Sequence, residues 1–405
     1  MNALRIFLIS SVVPRNTTAG NVILYRHFSQ REELSLAIAR SESAKPLTTD
    51  DSQGLLAENI VELQANRLLT RLTKTRLSRW ANDVRQCFDA FYDVNKLRHH
   101  IKEKKPDIIL TVAHGELCWL AQHISKEFNI PLVTIFHDWW PDLAYVHSFA
   151  RGLLTRRFKR LYQQSQLVFC VSEDMRRALG THPNAQVLFP IPTQSVTEKP
   201  LATLTREEAF RVIYAGTLSD IYGPMIQALC TSFQGIPSIQ LKLFGPQPDW
   251  PDLLVQQLKA DGIYGGFISR DSLVHELGKA NALLVALSFN QPDQIRMQTS
   301  FPSKLLEYCQ FGKPIIIWGP EYCSAVRWGR KHQSALVVTS PLAQDLVKAI
   351  QELETQPEEQ TRLGNKALEM AQGMFNPEKI QQQFVDSLYQ LAALKSQKST
   401  YNYFL

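Results

Sequence analysis

No stretch of the 405-residue chain reaches the roughly 20 consecutive apolar residues that span a bilayer. Its longest apolar runs, such as Ala282–Leu287 and Pro314–Trp318, are strand-sized. The six cysteines, Cys87, Cys118, Cys170, Cys230, Cys309 and Cys323, form no C-x-x-C pair. They read as scattered buried thiols in a reducing compartment, with no zinc site. The chain has no G-x-x-x-x-G-K-S/T, no G-x-G-x-x-G, no H-E-x-x-H, no G-x-S-x-G and no D-x-D. Serine-triad chemistry, metal-dependent hydrolysis and a divalent ion held by a D-x-D carboxylate pair therefore have no motif to rest on. With 44% hydrophobic and 20% charged residues the composition excludes disordered, collagen-like and disulfide-scaffold classes. A chain of this length buries a large core without staples, and its length points to two or three domains.

Charge is distributed unevenly. Residues 1–200 carry 26 Lys+Arg against 19 Asp+Glu, a net of +7, whereas residues 201–405 carry 18 against 19, a net of −1. A basic first half and a neutral second half indicate two domains with different partners. The segment Met1–Val13 has one arginine, a short apolar run and no small-residue cleavage site, and reads as a first strand rather than a signal peptide.

Short β-rich runs alternate with helical stretches. Strands are expected at Leu4–Ser10, Leu34–Ile38, Asp107–Val112, Pro131–Phe136, Leu167–Val171 and Val187–Phe189 in the first half. In the second half they are expected at Phe210–Ala215, Ile239–Phe244, Tyr264–Ile268, Ala282–Leu287, Pro314–Trp318 and Ala335–Thr339. Most are continuously apolar, as parallel strands covered on both faces must be. Each half thus reads as a Rossmann-like α/β domain, a parallel sheet wrapped by helices. Pro190, Pro192 and Pro200, interspersed with Thr and Ser, mark the boundary. The division is residues 1–190, a linker at 191–208, a second domain at 209–375, and a C-terminal helix and tail at 376–405, with Asn376 as cap and Pro377 in the first turn.

The residues with chemical potential lie at strand C-termini, where open α/β sheets place ligands. Strand one runs into Asn16-Thr17-Thr18-Ala19-Gly20-Asn21, with Thr17 or Thr18 as a helix cap and Gly20 leaving room for a ligand. An ordinary turn glycine is the alternative. Pro131–Phe136 ends in His137-Asp138-Trp139-Trp140-Pro141: His137 can point into a cleft, Asp138 can orient its ring, and the two tryptophans can wall a sugar-sized pocket. A histidine bonded in a core-edge turn is equally consistent. The richest segment is Gln298–Trp318. There Thr299 or Ser300 is expected to cap a helix, with Pro302, Ser303 and Lys304 in its first turn and Glu307 one turn on, on the same face. A first-turn lysine suits a diphosphate, and a carboxylate about 5 Å further along the axis suits a vicinal diol such as ribose. A surface Lys–Glu pair on an amphipathic helix is the alternative.

TSFPSKLLEYCQFGKPIII resembles the donor-binding region of retaining GT-B glycosyltransferases of the family-4 type, in particular bacterial polysaccharide-assembly members. PLVTIFHDWW and LVFCVSEDMRRAL are similar to blocks of that family's first domain. VIYAGTLSDIYGP, LKLFGP and FISRDSLVHELGKANALLVAL are similar to successive blocks of its second. The resemblance covers most of residues 1–393, with nothing comparable from about 40 to 100. It implies two Rossmann-like domains facing a cleft, a C-terminal helix crossing back to the first, and retaining, metal-independent transfer of a sugar from a nucleotide-sugar. No cofactor is implied beyond the donor itself. Carried over residue by residue, Glu307 would hold the donor ribose, and Gly20 would lie near the donor phosphates and acceptor. His137 would be the first-domain active-site histidine, with Asp138 beside it. Phe267 and Ile268 would meet the nucleobase through their backbone. Gly216, Ser303 and Leu305 fall in the same donor-binding blocks. The chain departs from the pattern in three places. Thr299 stands where the first glutamate of the family's pair falls, and Thr217 and Tyr222 stand where its diphosphate-binding Arg and Lys fall. Lys304 is the substitute cation, with Arg270 and Arg296 next.

Two basic stretches complete the reading: Arg67, Arg71, Lys74, Arg76, Arg79 and Arg85, interleaved with leucines, and Arg151–Arg160. Either suits an anionic membrane surface or a solvated helix face; no motif points to nucleic acid. The expected protein is cytoplasmic, peripheral on the inner face of the membrane, and transfers a sugar to a glycan, lipid-linked or small-molecule acceptor docked on its first domain. An epimerase of the same fold, drawing on Asp138, Asp142 and Glu116, and a catalytically silent partner subunit are the alternatives.

Overall fold

In the computed structural model, residues 3–16, 19–41, 55–56, 59–88, 92–193 and 209–401 are described. Thr17, Thr18 and most of the 191–208 linker lie outside them. The chain divides into one unit of Met1–Ile191 with Ile380–Leu405, and a second of Pro192–Lys379.

The first unit is built on seven strands: β1 (Leu4–Ile9), β2 (Leu34–Ser41), β3 (Asn59–Leu63), β4 (Ile108–Val112), β5 (Leu132–Phe136), β6 (Leu167–Cys170) and β7 (Ala185–Val187). Every pairing is parallel and the order is β3-β2-β1-β4-β5-β6-β7. Five of the six runs expected in this half form as strands within a few residues at their ends; the sixth, expected at Val187–Phe189, lies two residues earlier as β7 and shares only Val187, and β3 is an addition. Its sequence, NIVEL, alternates buried and exposed side chains, as befits an edge strand with one wet face. The second unit has six strands: β8 (Phe210–Ala215), β9 (Ile239–Phe244), β10 (Tyr264–Gly266), β11 (Ala282–Ala286), β12 (Ile315–Trp318) and β13 (Leu336–Val338). They are again all parallel, in the order β10-β9-β8-β11-β12-β13. β10 stops at Gly266, two residues short of expectation, because Gly266 takes a left-handed φ of 78°. Both sheets therefore have the doubly wound α/β pattern, and each reverses strand order once: between β1 and β4, and between β8 and β11. Such reversals open a crevice at the strand C-termini.

The long helix Pro377–Tyr401 starts on Asn376, whose side chain accepts from the Lys379 N–H at 2.9 Å. From Ile380 onward the chain belongs to the first unit. There the Gln381 amide donates to the carbonyls of Arg26 (3.0 Å) and Ser29 (2.9 Å), and Phe384 buries its ring against His27, Phe28 and Phe169. Among the described residues no helix is long and apolar enough to cross a membrane.

Candidate active site

In the second unit Gly216, Thr217 and Lys304 come together at the β8–β11 reversal. Helix Ser303–Cys309 connects β11 to β12. Tyr308 pins it to the end of β8: its hydroxyl accepts from the Ala215 N–H at 3.0 Å and donates to the Ala215 carbonyl at 3.3 Å. That anchor aims Lys304, some ninety residues downstream of β8, at the β8 turn. The Lys304 ammonium lies 4.5 Å from the centroid of the Tyr214 ring and 3.5 Å from its hydroxyl. A Cβ on Gly216 would collide with it. Gly216 has a positive φ of 155°, and its carbonyl is so close to Gly245 that no side chain fits there either. The turns after β8 and β9 thus meet backbone to backbone, with Lys304 over the first. Burial lowers the pKa of Lys304 to about 8. Among the described residues it has no carboxylate partner, so the Lys304–Glu307 surface pair does not form. Thr217 is exposed on the same turn, and its carbonyl accepts from the Tyr214 hydroxyl at 2.8 Å.

Glu307 lies one turn beyond Lys304. Its Oε1 accepts from both the backbone N–H and the hydroxyl of Thr193, each at 3.2 Å. Ser303 is half-buried, whereas Leu305 is fully buried, so only its backbone remains for a ligand. Phe267 and Ile268 follow β10; the Phe267 ring is 81% exposed.

One expectation in this unit needs correction. Neither Thr299 nor Ser300 caps the Lys304 helix. Thr299 ends the preceding helix, Gln294–Thr299, and is fully buried with its hydroxyl on the Ile295 carbonyl at 2.7 Å. The helix of Lys304 starts at Ser303 behind Pro302, with no side-chain cap, and is only seven residues long. Its dipole is correspondingly small, which leaves positive potential here to the lysine. Tyr222, one of the departures from the family pattern, packs its ring against the core.

In the first unit Gly20 and His137 line one hollow at the β1–β4 reversal, together with Val12, Ile23, Val112 and Ile135. Gly20 is the second residue of helix Ala19–Phe28; its φ is not positive, and nothing lies within 4 Å of where a Cβ would be. Neither backbone nor packing demands glycine there. His137 Nε2 is 3.5 Å from an Asp138 carboxylate oxygen. His114, which the motifs did not single out, stands behind it with ring centroids 5.9 Å apart, its ring tilted 42° against that of Trp140 at 4.1 Å. Burial, aided by His137, lowers the pKa of His114 to about 4. His114 follows β4 as His137 follows the neighbouring β5, and that repeated strand-then-histidine pattern was the available signal. Ligand atoms of His114, His137 and Asp138 lie within 4.8 Å of one another, a metal-compatible trio the sequence did not reveal. Trp139 walls no pocket: it is buried against Phe158 at 5.3 Å. Glu116 is locked by Arg85, by the Gln86 amide at 3.0 Å and by the Tyr92 hydroxyl at 2.7 Å. Arg85 is correspondingly an internal ion-pair partner and not part of a solvated basic face.

Residues 64–187 match Glycosyltransferase Family 4, and residues 198–370 match Glycosyl transferases group 1. No curated protein sequence matches the chain. Among solved structures, HepE of Anabaena in complex with UDP is similar at a TM-score of 0.66 and 16% identity, covering 96% of this chain and 100% of its own. A glycosyltransferase of Rickettsia africae has a TM-score of 0.65 at 13% identity, covering 96% and 98%. The apo lipopolysaccharide outer core galactosyltransferase WaaB has 0.61 at 15%, covering 96% and 99%. Two parallel-sheet domains, each matched by its own glycosyltransferase family over most of its length, give the conclusion: the chain belongs to the GT-B glycosyltransferases, of Glycosyltransferase Family 4 in its first domain and of Glycosyl transferases group 1 in its second.

Proposed function

We propose that the second unit binds a nucleotide-sugar with its diphosphate on Lys304 and the Gly216–Thr217 turn and its ribose on Glu307. The reaction is metal-independent transfer with retention to a sugar or lipid-linked acceptor docked on the first unit. One observation carries the donor assignment: an ammonium that meets no carboxylate among the described residues, held over a glycine turn at the sheet's reversal. A diphosphate there pairs with that ammonium and raises the pKa that burial has lowered. Thr193 presents an N–H and an O–H to one oxygen of Glu307, and the two hydroxyls of a ribose offer the same donor chemistry. The backbone of Phe267 and Ile268 faces the base.

In the transfer, the bond between the anomeric carbon and the diphosphate oxygen breaks and one to the acceptor oxygen forms. The acceptor's proton passes to the leaving phosphate, so no enzyme nucleophile is needed. Charge grows on that phosphate, where Lys304 stabilises it. Gly20 leaves open space for a ligand and His137, held by Asp138, orients the reacting sugar and acceptor.

UDP-glucose, bound in a structure of HepE, is the first donor to try, and UDP, bound in another, is the first nucleotide. The test is a thermal-shift screen of nucleotides and nucleotide-sugars, repeated with EDTA. A donor at 100 times its dissociation constant adds about 2.7 kcal/mol of stability. Binding and turnover that survive chelation support the reading; loss of both would contradict it. An epimerase is disfavoured because Glu116 is already committed to Arg85, Gln86 and Tyr92.

A further inference from the structure

The two basic stretches, separated by some sixty residues, form one surface. Helix Ser78–Cys87 packs beside helix Ser148–Gln164: the Cys87 thiol meets the Ala150 carbonyl at 3.5 Å, and Arg157 donates to the Cys87 carbonyl at 2.6 Å. On this surface four large apolar side chains stand in the open. Trp80 is 54% exposed, Tyr145 62%, Phe149 65% and Leu153 42%. Trp80 and Phe149 touch across the two helices with centroids 5.5 Å apart, and the His147 ring fills in beside Trp80 at 4.7 Å. Arg79 lies over the Tyr145 ring at 5.4 Å. These contacts make one continuous patch rather than scattered exposed residues.

The surrounding charge has a single sign. Helix Ser148–Gln164 contains no Asp or Glu, and neither does the stretch from 64 to 82. The one acid of helix Ser78–Cys87, Asp83, is buried and bound to the backbone N–H and ring of His147 at 2.8 and 2.5 Å. Asp142 is half-buried, 3.9 Å from Arg151. Along helix Ser148–Gln164, Phe149, Leu153, Arg156 and Arg160 recur at helical spacing and are all exposed, while Ala150, Leu154, Phe158 and Leu161 pack inward. An exposed stripe that begins with an aromatic and a leucine and ends in arginines, with no acids, is the pattern of a helix lying in the lipid–water interface.

We infer that this face docks on an anionic lipid bilayer, with Trp80, Tyr145 and Phe149 at the headgroup–acyl boundary and the arginines, Arg156 and Arg160 foremost, on lipid phosphates. The inference stands on the first unit alone and is independent of the donor assignment. Trp80 and Tyr145 suit that depth because one part of each side chain is apolar and another polar, Phe149 adds apolar contact beside them, and arginine carries its charge outward on an apolar stem.

The test is co-sedimentation of the full chain with phosphatidylcholine vesicles and with mixed phosphatidylcholine–phosphatidylglycerol vesicles, at low and moderate salt. Binding is expected only to the mixed vesicles and is expected to weaken with salt. Neutralising two charges in Arg156→Gln/Arg160→Gln should lower partitioning roughly thirtyfold, about fivefold per charge. Brominated lipid should quench part of the tryptophan fluorescence, and Trp80→Phe, which keeps an aromatic in place, should abolish that part. Equal binding to neutral vesicles, no loss in the arginine variant, or unchanged quenching in Trp80→Phe would each overturn the inference. So would salt-independent self-association removed by Phe149→Ser, which would make the patch an interface between copies of the chain.

Discussion

Replacing Lys304 with methionine should make the protein more stable and less active. The ammonium is charged in a half-buried position with no carboxylate partner among the described residues, and its pKa is lowered from 10.5 to about 8. One pKa unit corresponds to about 1.4 kcal/mol, so the penalty at neutral pH is of order 1–3 kcal/mol after allowance for partial exposure. The sign is fixed by proton linkage. Below pH 8 the lysine is charged folded and unfolded, and the native state bears the full penalty. Between 8 and 10.5 the unfolded chain holds a proton that the folded chain has released, so stability rises with pH. Above 10.5 both forms are neutral and the penalty is gone. Lys304→Met should therefore gain stability in denaturant titrations near pH 7 and lose the wild-type rise on the alkaline side. Methionine fills similar volume, so packing over Gly216 is retained. Donor chemistry moves oppositely: hydrogen bonds to charged groups contribute about 1.5–3 kcal/mol, or roughly 10- to 100-fold in turnover, with less effect on donor affinity because the phosphate gains charge in the transition state. Near wild-type turnover of a screened donor by Lys304→Met would refute this role for the ammonium. So would destabilisation of the variant at neutral pH with its fold retained.

Three further outcomes follow from the same geometry. Gly20→Ala meets open space inside a helix, so the fold should gain about 0.5–1 kcal/mol while activity falls, because the added methyl occupies ligand space; unchanged kinetics would return Gly20 to an ordinary helix residue. Glu307→Gln should weaken donor binding several-fold with turnover at saturation nearly unchanged, read as a rise in KM without a matching fall in kcat. Thr299→Glu, which rebuilds the family's carboxylate pair, should cost several kcal/mol in denaturant titrations, because the site is fully buried and hydrogen-bonded within its helix; a stable, active variant would show that position 299 opens toward the donor.

Strands were legible because a parallel strand covered on both faces must be apolar throughout, as ALLVA at β11 and IIIW at β12 are. β3 escaped because NIVEL lies at an edge, alternates, and sits where the sequence carries no resemblance. The residues proposed to hold the diphosphate were legible one element at a time: PSKLLEY marks the helix and IYAG the strand end. That Lys304 stands over Gly216 depends on the Tyr308 anchor and on sheet order, neither of which a linear pattern contains. His114 escaped because a single histidine after a strand is ambiguous until its neighbour on the adjacent strand is seen. The cap was misplaced because Thr299 and Ser300 precede a proline at the usual spacing, and only the preceding helix reveals that Thr299 faces inward. The two basic stretches read as separate patches because their contact is tertiary.

The central claim is sugar transfer from a nucleotide-sugar whose diphosphate rests on protein cations rather than a metal. Proton NMR of a reaction containing donor, acceptor and EDTA tests it directly. The expected result is release of nucleoside diphosphate with a new glycosidic signal of the donor's own anomeric configuration. An epimerised donor, an inverted product, or turnover that appears only when a divalent ion is restored would contradict it.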